Sequence, residues 1–156
     1  MTEDEKPRLV GINHVALEVG DVEAALDFYG RIFRFELRGT HRDEAGRLQM
    51  AFIDMGDQFL ALAKGQGQRP DAHRHFGLVV DDRGTVDALA RAAGAEMIEG
   101  DSMDFHDPWG NRIQVVAYRD LQFLKHEAVL KALGVAPEKT ADARRELAEK
   151  NIAIDD

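Results

Sequence analysis

The stretch HVALEVGD, residues 14 to 21, decides the fold, because HFGLVVDD at residues 75 to 82 lies over it without a gap. A fixed internal repeat means that one supersecondary unit occurs twice. Around the first copy, GINHVALEV alternates, with His14, Ala16 and Glu18 on one face and Val15, Leu17 and Val19 on the other. That is a strand buried on its aliphatic side. Asp21 then precedes VEAALDFYGRIF, where Val22, Ala25, Leu26, Tyr29 and Phe33 recur at helical spacing. Aspartate there accepts the first unpaired amide hydrogens, so a capped amphipathic helix is expected. Three short strands follow at FELRGTH, LQMAFIDM and QFLALA, separated by the Ala45-Gly46 loop and the Gly56-Asp57 turn. Module one, residues 9 to 63, therefore reads β-α-β-β-β.

KGQGQRPDA, residues 64 to 72, is rich in glycine and nearly devoid of apolar side chains, which makes it a linker. Module two, residues 73 to 118, then repeats the pattern. TVDALARAAG matches the first helix, AEMIEG and SMDFH are short strands, and the turn DPWGN leads into RIQVVAY. Proline fixes φ near −65° and glycine supplies a positive φ, so this turn has a complete conformational explanation. Beyond residue 118, DLQFLKHEAVLKALGV reads as a helix with Phe123, Val129, Leu130 and Leu133 available to pack. TADARRELAEKN reads as a polar second helix with a Glu146 to Lys150 pair. The expectation is one α+β domain over residues 1 to 156. It has two βαβββ modules whose curved mixed sheets form a cup, and C-terminal helices over 119 to 156 that cover a sheet edge or a partner subunit.

Composition excludes several classes. The chain has no cysteine, so disulfides, thiolate metal sites and cysteine nucleophiles are ruled out, and any metal must sit on nitrogen and oxygen. A net charge of −9 argues against nucleic acid or an anionic membrane, because both associations depend on Lys and Arg. No apolar run approaches the ~20 residues of a spanning helix, and MTEDEKPRLV has no basic segment followed by an apolar one. A cytoplasmic protein is expected. No nucleophile motif, phosphate-binding glycine loop or nucleotide fingerprint occurs.

Together, NHVALEVGDVEAALDFYGRIFRFEL, HFGLVVDD and FHDPWGNRIQVV resemble the vicinal oxygen chelate superfamily, which includes glyoxalase I, bleomycin-resistance proteins, fosfomycin-resistance enzymes and extradiol dioxygenases. The resemblance covers roughly residues 9 to 118 and implies paired βαβββ modules around a divalent metal. It puts His14 and His75 at the first-strand metal positions. The residue four after the Gly110 turn is usually glutamate in this family, and here it is Gln114. The equivalent place four after Gly56 is Leu60, which cannot bind metal. The implied set is thus two imidazoles and one amide, a weak site for Fe, Mn, Ni or Zn because an amide oxygen is neutral.

Other residues bear on the site. Glu18 shares the His14 face but stands roughly 13 Å along the strand, too far to join it on one ion. Asp104 and His106 alternate with Met103 and Phe105, which puts them on one strand face that can line the cup; His106 is either a candidate fourth ligand or acid/base group in the pocket or a solvent-facing residue. His73, two residues before His75, is either the true second ligand or a linker-end residue. His41 and His126 read as surface residues. Trp109 either covers an edge or caps the ligand mouth.

Two functions follow. In one, a metal-dependent enzyme of isomerase, lyase or dioxygenase type chelates a small oxygen-bearing substrate, with His14, His75 and Gln114 on the ion. In the other, a metal-free cup sequesters a cationic drug or metabolite through Glu18, Asp104, Gln114 and Trp109. Either is expected to be a homodimer, since small curved sheets leave edges to be covered.

Overall fold

The computed structural model describes residues 6–155. Module one comprises β1 (His14–Val19), α1 (Val22–Ile32), β2 (Glu36–Arg42), β3 (Leu48–Asp54) and β4 (Phe59–Lys64). Module two comprises β5 (Phe76–Val80), α2 (Arg83–Ala92), β6 (Glu96–Ile98), β7 (Met103–His106) and β8 (Arg112–Ala117). The two sheets have the same order, β1-β4-β3-β2 and β5-β8-β7-β6, with the first and last strands of each module parallel. The repeat seen in the sequence is therefore a repeat of topology. The sheets are mixed and open, as expected of this α+β arrangement, but no strand of one pairs with a strand of the other.

Each sheet has one face under a helix and one free of it. Asp21 caps α1 by accepting from the Ala24 amide at 2.8 Å, and Asp82 caps α2 by accepting from Gly84 at 2.9 Å. Val22, Ala25, Phe28, Tyr29 and Ile32 form the buried stripe of α1. They meet Leu17, Val19, Ile53, Leu60 and Leu62 from the alternate positions of β1, β3 and β4. The same core continues into module two through Phe105, Ile113 and Val115, with the Phe28 and Phe105 rings 6.2 Å apart. Each such side chain contributes about 1.5–3 kcal/mol when fully buried, so the helix side of both modules forms one hydrophobic unit. The helix-free faces point away from it.

A buried carboxylate fastens the modules together. Asp107, 4% exposed, opens the β7–β8 turn and accepts from the amides of Trp109 and Asn111, both at 2.9 Å. It also accepts from Asn111 Nδ2 and from the Tyr29 hydroxyl of module one, both at 2.8 Å. Asn111 Nδ2 donates in addition to the Glu18 carbonyl at 3.0 Å. Burial, then the charge and hydrogen bond of Asp107, push the Tyr29 hydroxyl well above its ordinary pKa. Gly110 has φ of +85°, and a Cβ there would stand 2.9 Å from Pro70, so the linker crosses this turn in close contact.

The C-terminal segment departs from expectation. Residues 121–126 are not helical; a 3-10 turn at Tyr118–Asp120 is followed by irregular chain, and α3 spans only Glu127–Leu133. Lys125 explains the break, because its ammonium donates to the Met55 carbonyl at 2.8 Å and pairs with Asp57, tying the chain to the β3–β4 turn. His126 then caps α3. Gly56 accommodates Val129, whose Cγ1 would lie 2.4 Å from an added Cβ. The second helix forms as read, α4 at Ala141–Glu149 with Thr140 as cap, and Arg145 pairs with Asp142 along it, whereas Glu146 and Lys150 are not paired among the described residues. Lys139 is 7% exposed and donates to the carbonyls of Tyr118 and Phe123, with its ammonium 3.3 Å from the Tyr118 ring centroid.

Two outcomes are expected. Asp107→Ala orphans four donors and should cost about 3–5 kcal/mol in chemical denaturation, against about 1–2 kcal/mol for Tyr29→Phe, which leaves three of them satisfied. A loss below about 1 kcal/mol for Asp107→Ala would show that the turn is not a fastener. Burial lowers Lys139 to about 8, with Asp120 opposing, from an ordinary value of 10.5. The folded state therefore binds fewer protons than the unfolded one between these values. From about pH 8 upward the wild type should gain stability relative to Lys139→Met by up to ~1.4 kcal/mol per pH unit. Parallel stability curves for the two proteins would contradict the burial of a charged lysine.

Candidate functional site

Pairing across the strands defines what each helix-free face presents. In module one the rows are His14, Phe59, Asp54 and Glu36; then Ala16, Ala61, Phe52 and Gly39; then Glu18, Ala63, Met50 and His41. In module two His106 and Glu96 stand beside Arg112, and the next row is Gly77, Gln114, Asp104 and Ile98. His75 immediately precedes β5 and stands next to the Arg112 row, as His14 opens β1 beside Phe59. The two histidines thus occupy corresponding places.

One correspondence read from the sequence requires correction. The β3–β4 connection runs through residues 55–58, one residue shorter than the 107–111 connection, because Asp54 pairs with Phe59 whereas His106 pairs with Arg112. The register partner of Gln114 in module one is therefore Ala61. Leu60 faces the helix and corresponds to Ile113. Counting from the turn glycine shifted the match by one position, and a one-residue shift changes the face. Alanine offers no ligand atom either.

Both histidines are exposed and prepared alike. His14 Nδ1 is 2.9 Å from Asn13 Oδ1, and His75 Nδ1 is 2.8 Å from the His73 carbonyl. Those oxygens are acceptors, so the neutral tautomer that suits them has its proton on Nδ1 and its lone pair on Nε2, the arrangement that outer hydrogen bonds impose on metal-binding imidazoles. His73 contributes only its backbone here. Gln114 is half-buried, and its side chain makes no hydrogen bond among the described residues.

The other candidates are engaged elsewhere. Asp104 is 2% exposed and accepts from Arg112 at 2.7 Å and from Ser102 Oγ at 2.6 Å. Burial disfavours its charge, but the hydrogen bonds from Ser102 and Arg112, with the charges of Arg112 and His75, outweigh this and hold the carboxyl below its usual range. His106 Nε2 donates to the Asp71 carbonyl at 2.7 Å, and its Nδ1 is buried without a partner. Arg112 also reaches the Ala72 carbonyl. The linker is therefore fastened across this end of module two, something its glycine-rich composition gave no hint of. Glu18 is exposed beside Gly65, where an added Cβ would come within 2.8 Å of its carboxylate. Half-buried Trp109 lies against Gly20 at the end of β1.

The donor set fits a borderline divalent ion in kind, with two free Nε2 atoms and one uncommitted amide. Among the described residues no group of three or more His, Asp or Glu side chains is placed to hold a metal. His14 and the His75–Gln114 pair lie on separate sheets. Sequence reading missed Arg112, Phe52 and Phe59. Strand alternation in LQMAFIDM and QFLALA contained the signal for the two phenylalanines.

Comparison with known proteins identifies the lineage. The model of the Glyoxalase/Bleomycin resistance protein/Dioxygenase superfamily matches residues 11–120, and the chain belongs to that superfamily. No curated protein sequence matches it. Among solved structures, the fosfomycin resistance protein FosX from Listeria monocytogenes, complexed with Mn(II) and sulfate, is similar at 20% identity and a TM-score of 0.61, covering 70% of this chain and 93% of its own. FosX from Mesorhizobium loti is similar at 17% identity and 0.59, covering 69% and 91%. An integron cassette protein of V. cholerae aligns at 20% and 0.52, covering 72% and 98%. At these identities the likeness establishes the fold. Residues 121–156 lie beyond the family model. No helix among the described residues is long and apolar enough to cross a membrane.

Proposed function

We propose that this protein is a divalent-metal-dependent enzyme of isomerase, lyase or dioxygenase type acting on a small oxygen-chelating substrate, with each site completed between two copies of the chain. The observation that carries the reading is the matched preparation of His14 and His75. Both stand at corresponding ends of the helix-free faces with Nδ1 bound to an oxygen and Nε2 free. In the proposed homodimer, His14 of one copy meets His75 and Gln114 of the other, which gives the separated donors one common point. When bound, the ion supplies Lewis acidity toward the oxygens of the substrate. The relatives' Mn(II) complexes are consistent with such an ion.

The chain's own residues would do the following. His14 and His75 hold the ion through Nε2, and their Nδ1 hydrogen bonds fix the ring orientation. Gln114 donates its amide oxygen. Arg112 neutralises Asp104 and keeps that carboxylate off the ion. His106, bound to the linker carbonyl, holds the chain across module two rather than moving a proton.

A second reading is metal-free sequestration of a small molecule. It draws on the neutral Gln114 and on the commitment of Asp104 to Arg112, which together leave no uncommitted carboxylate in the row of Gln114.

The two readings separate on Gln114→Glu. The replacement is nearly isosteric, and one added charge at ~4 Å in a medium of effective dielectric ~20 is worth up to ~4 kcal/mol before desolvation. Affinity for Mn²⁺, Fe²⁺, Ni²⁺ or Zn²⁺ in calorimetric titration should rise about tenfold or more, since ~1.4 kcal/mol is one decade. No gain for any ion, together with a lowered melting temperature, would favour the metal-free pocket. The shared site makes a further demand. His14→Ala and His75→Ala should each abolish binding, yet unfolding and refolding them together should restore about a quarter of wild-type sites, because half the dimers are mixed and each mixed dimer has one intact site. No recovery, or a 17.4 kDa species by light scattering, contradicts the shared site.

A further inference from the structure

We propose that the helix-free face of module one is a subsite for a planar aromatic ring that carries no negative charge. The argument begins from the duplication. Equivalent positions of the two sheets share one backbone geometry, so differences in side chain report what each face is for. Where module two has Arg112, Gln114 and Asp104, module one has Phe59, Ala61 and Phe52. One face is polar and internally ion-paired. The other is aromatic and small.

Phe52, Phe59 and Met50 are half-buried but take no part in the hydrophobic core, whereas Ala51, Ile53, Leu60 and Leu62, which alternate with them on β3 and β4, lie within it. The strands thus place large aliphatic side chains where a helix packs and aromatic or small ones where nothing does. Ala16 is exposed, Ala63 half-buried and Ala61 buried, so the small floor open to a ligand on this face lies at Ala16, beside the phenylalanines. The walls are set: the Phe59 ring stacks on His14 with centroids 4.7 Å apart and planes 7° from parallel. Phe52 meets Phe59 edge to face at 5.7 Å. Aromatic ligands gain from both arrangements.

Charge selects within that class. Glu18, Asp54 and Glu36 share the face, and among the paired positions of the described rows its basic groups are the imidazoles of His14 and His41. Arg112, the guanidinium on the corresponding face of module two, is spent on Asp104 and the Ala72 carbonyl. A phosphonate or carboxylate would meet carboxylates with no fixed cation to pair it, whereas a neutral or cationic ring meets no such cost.

This names the substrate class for the site proposed above and rests on that reading only for the use of the face as a substrate wall. The test therefore runs in EDTA, on the full chain, by NMR titration with catechol, benzylamine and benzylphosphonate. Catechol and benzylamine should shift the ring resonances of His14, Phe52 and Phe59, with benzylphosphonate at least tenfold weaker. Ala16→Leu, an exposed position that fills the floor, and Phe59→Leu should each weaken catechol by about tenfold while the amide spectrum stays dispersed. If Phe59→Leu does not fold, Ala16→Leu decides alone. Equal binding of benzylphosphonate, unchanged affinity in Ala16→Leu, or absence of any ring binding overturns the proposal. So does a change of oligomeric mass in Ala16→Leu without a change in ring affinity, which would assign the face to a second copy. Ring binding in EDTA by a protein that takes up no metal upholds this subsite and overturns only the metal reading.

Discussion

The carboxylate of Asp107 is the constraint on which the arrangement of the chain depends. Among the described residues it has no cation paired with it and is satisfied by four donors instead, two amides of its own turn, the Asn111 side chain and the hydroxyl of Tyr29. Those donors belong to both modules. A buried charge is tolerable only when its hydrogen-bonding capacity is filled, so this turn forms only when α1 of module one lies against it. Asn111 extends the connection to the backbone of β1, and Gly110 lets the linker pass over the same point. Module contact, turn and linker path are one cooperative feature.

With the helix sides joined in this way, each helix-free face lies on the side of its sheet away from the common core. The imidazoles of His14 and His75 stand on different sheets, each with an oxygen beside Nδ1. The duplication has also diverged face by face. Module one retains an apolar, aromatic surface beside its histidine; module two has become polar, and its acid is neutralised by Arg112. A site assembled from one face of each kind combines a wall for the body of a ligand with a wall for its oxygens.

The C-terminal segment adds to the superfamily fold. It leaves β8 in module two and returns to the β3–β4 turn of module one, where Lys125 holds the Met55 carbonyl and Asp57, and where Gly56 makes room for Val129. The Asp57 carboxyl is held below its usual range by the Lys125 hydrogen bond, against the effect of burial. That turn is adjacent to the His14 end of the sheet: Gln58 donates to the Ile12 carbonyl at 2.8 Å and the Phe59 amide to that of Asn13 at 3.1 Å. The segment therefore braces the strand that presents His14.

What the sequence determined by itself was everything set by short-range periodicity: the repeat, the strand faces of His14 and Glu18, the alternation of Asp104 and His106 with Met103 and Phe105, the cap Asp21, and the turn at Gly110. Alternation with period two and stripes with period 3.6 are local properties of the backbone, so they can be read without knowing a residue's distant neighbours. Tertiary structure decided the rest. Whether Asp104 is a free acid or a spent one depends on Arg112 across the strand. The linker carbonyl that occupies His106 lies thirty-five residues away. Gln114 matches Ala61 and not Leu60 because one connection is a residue shorter, a fact of pairing register. Which face of each sheet stays free of a helix beside His14 and His75 is set by burial of both modules around one core.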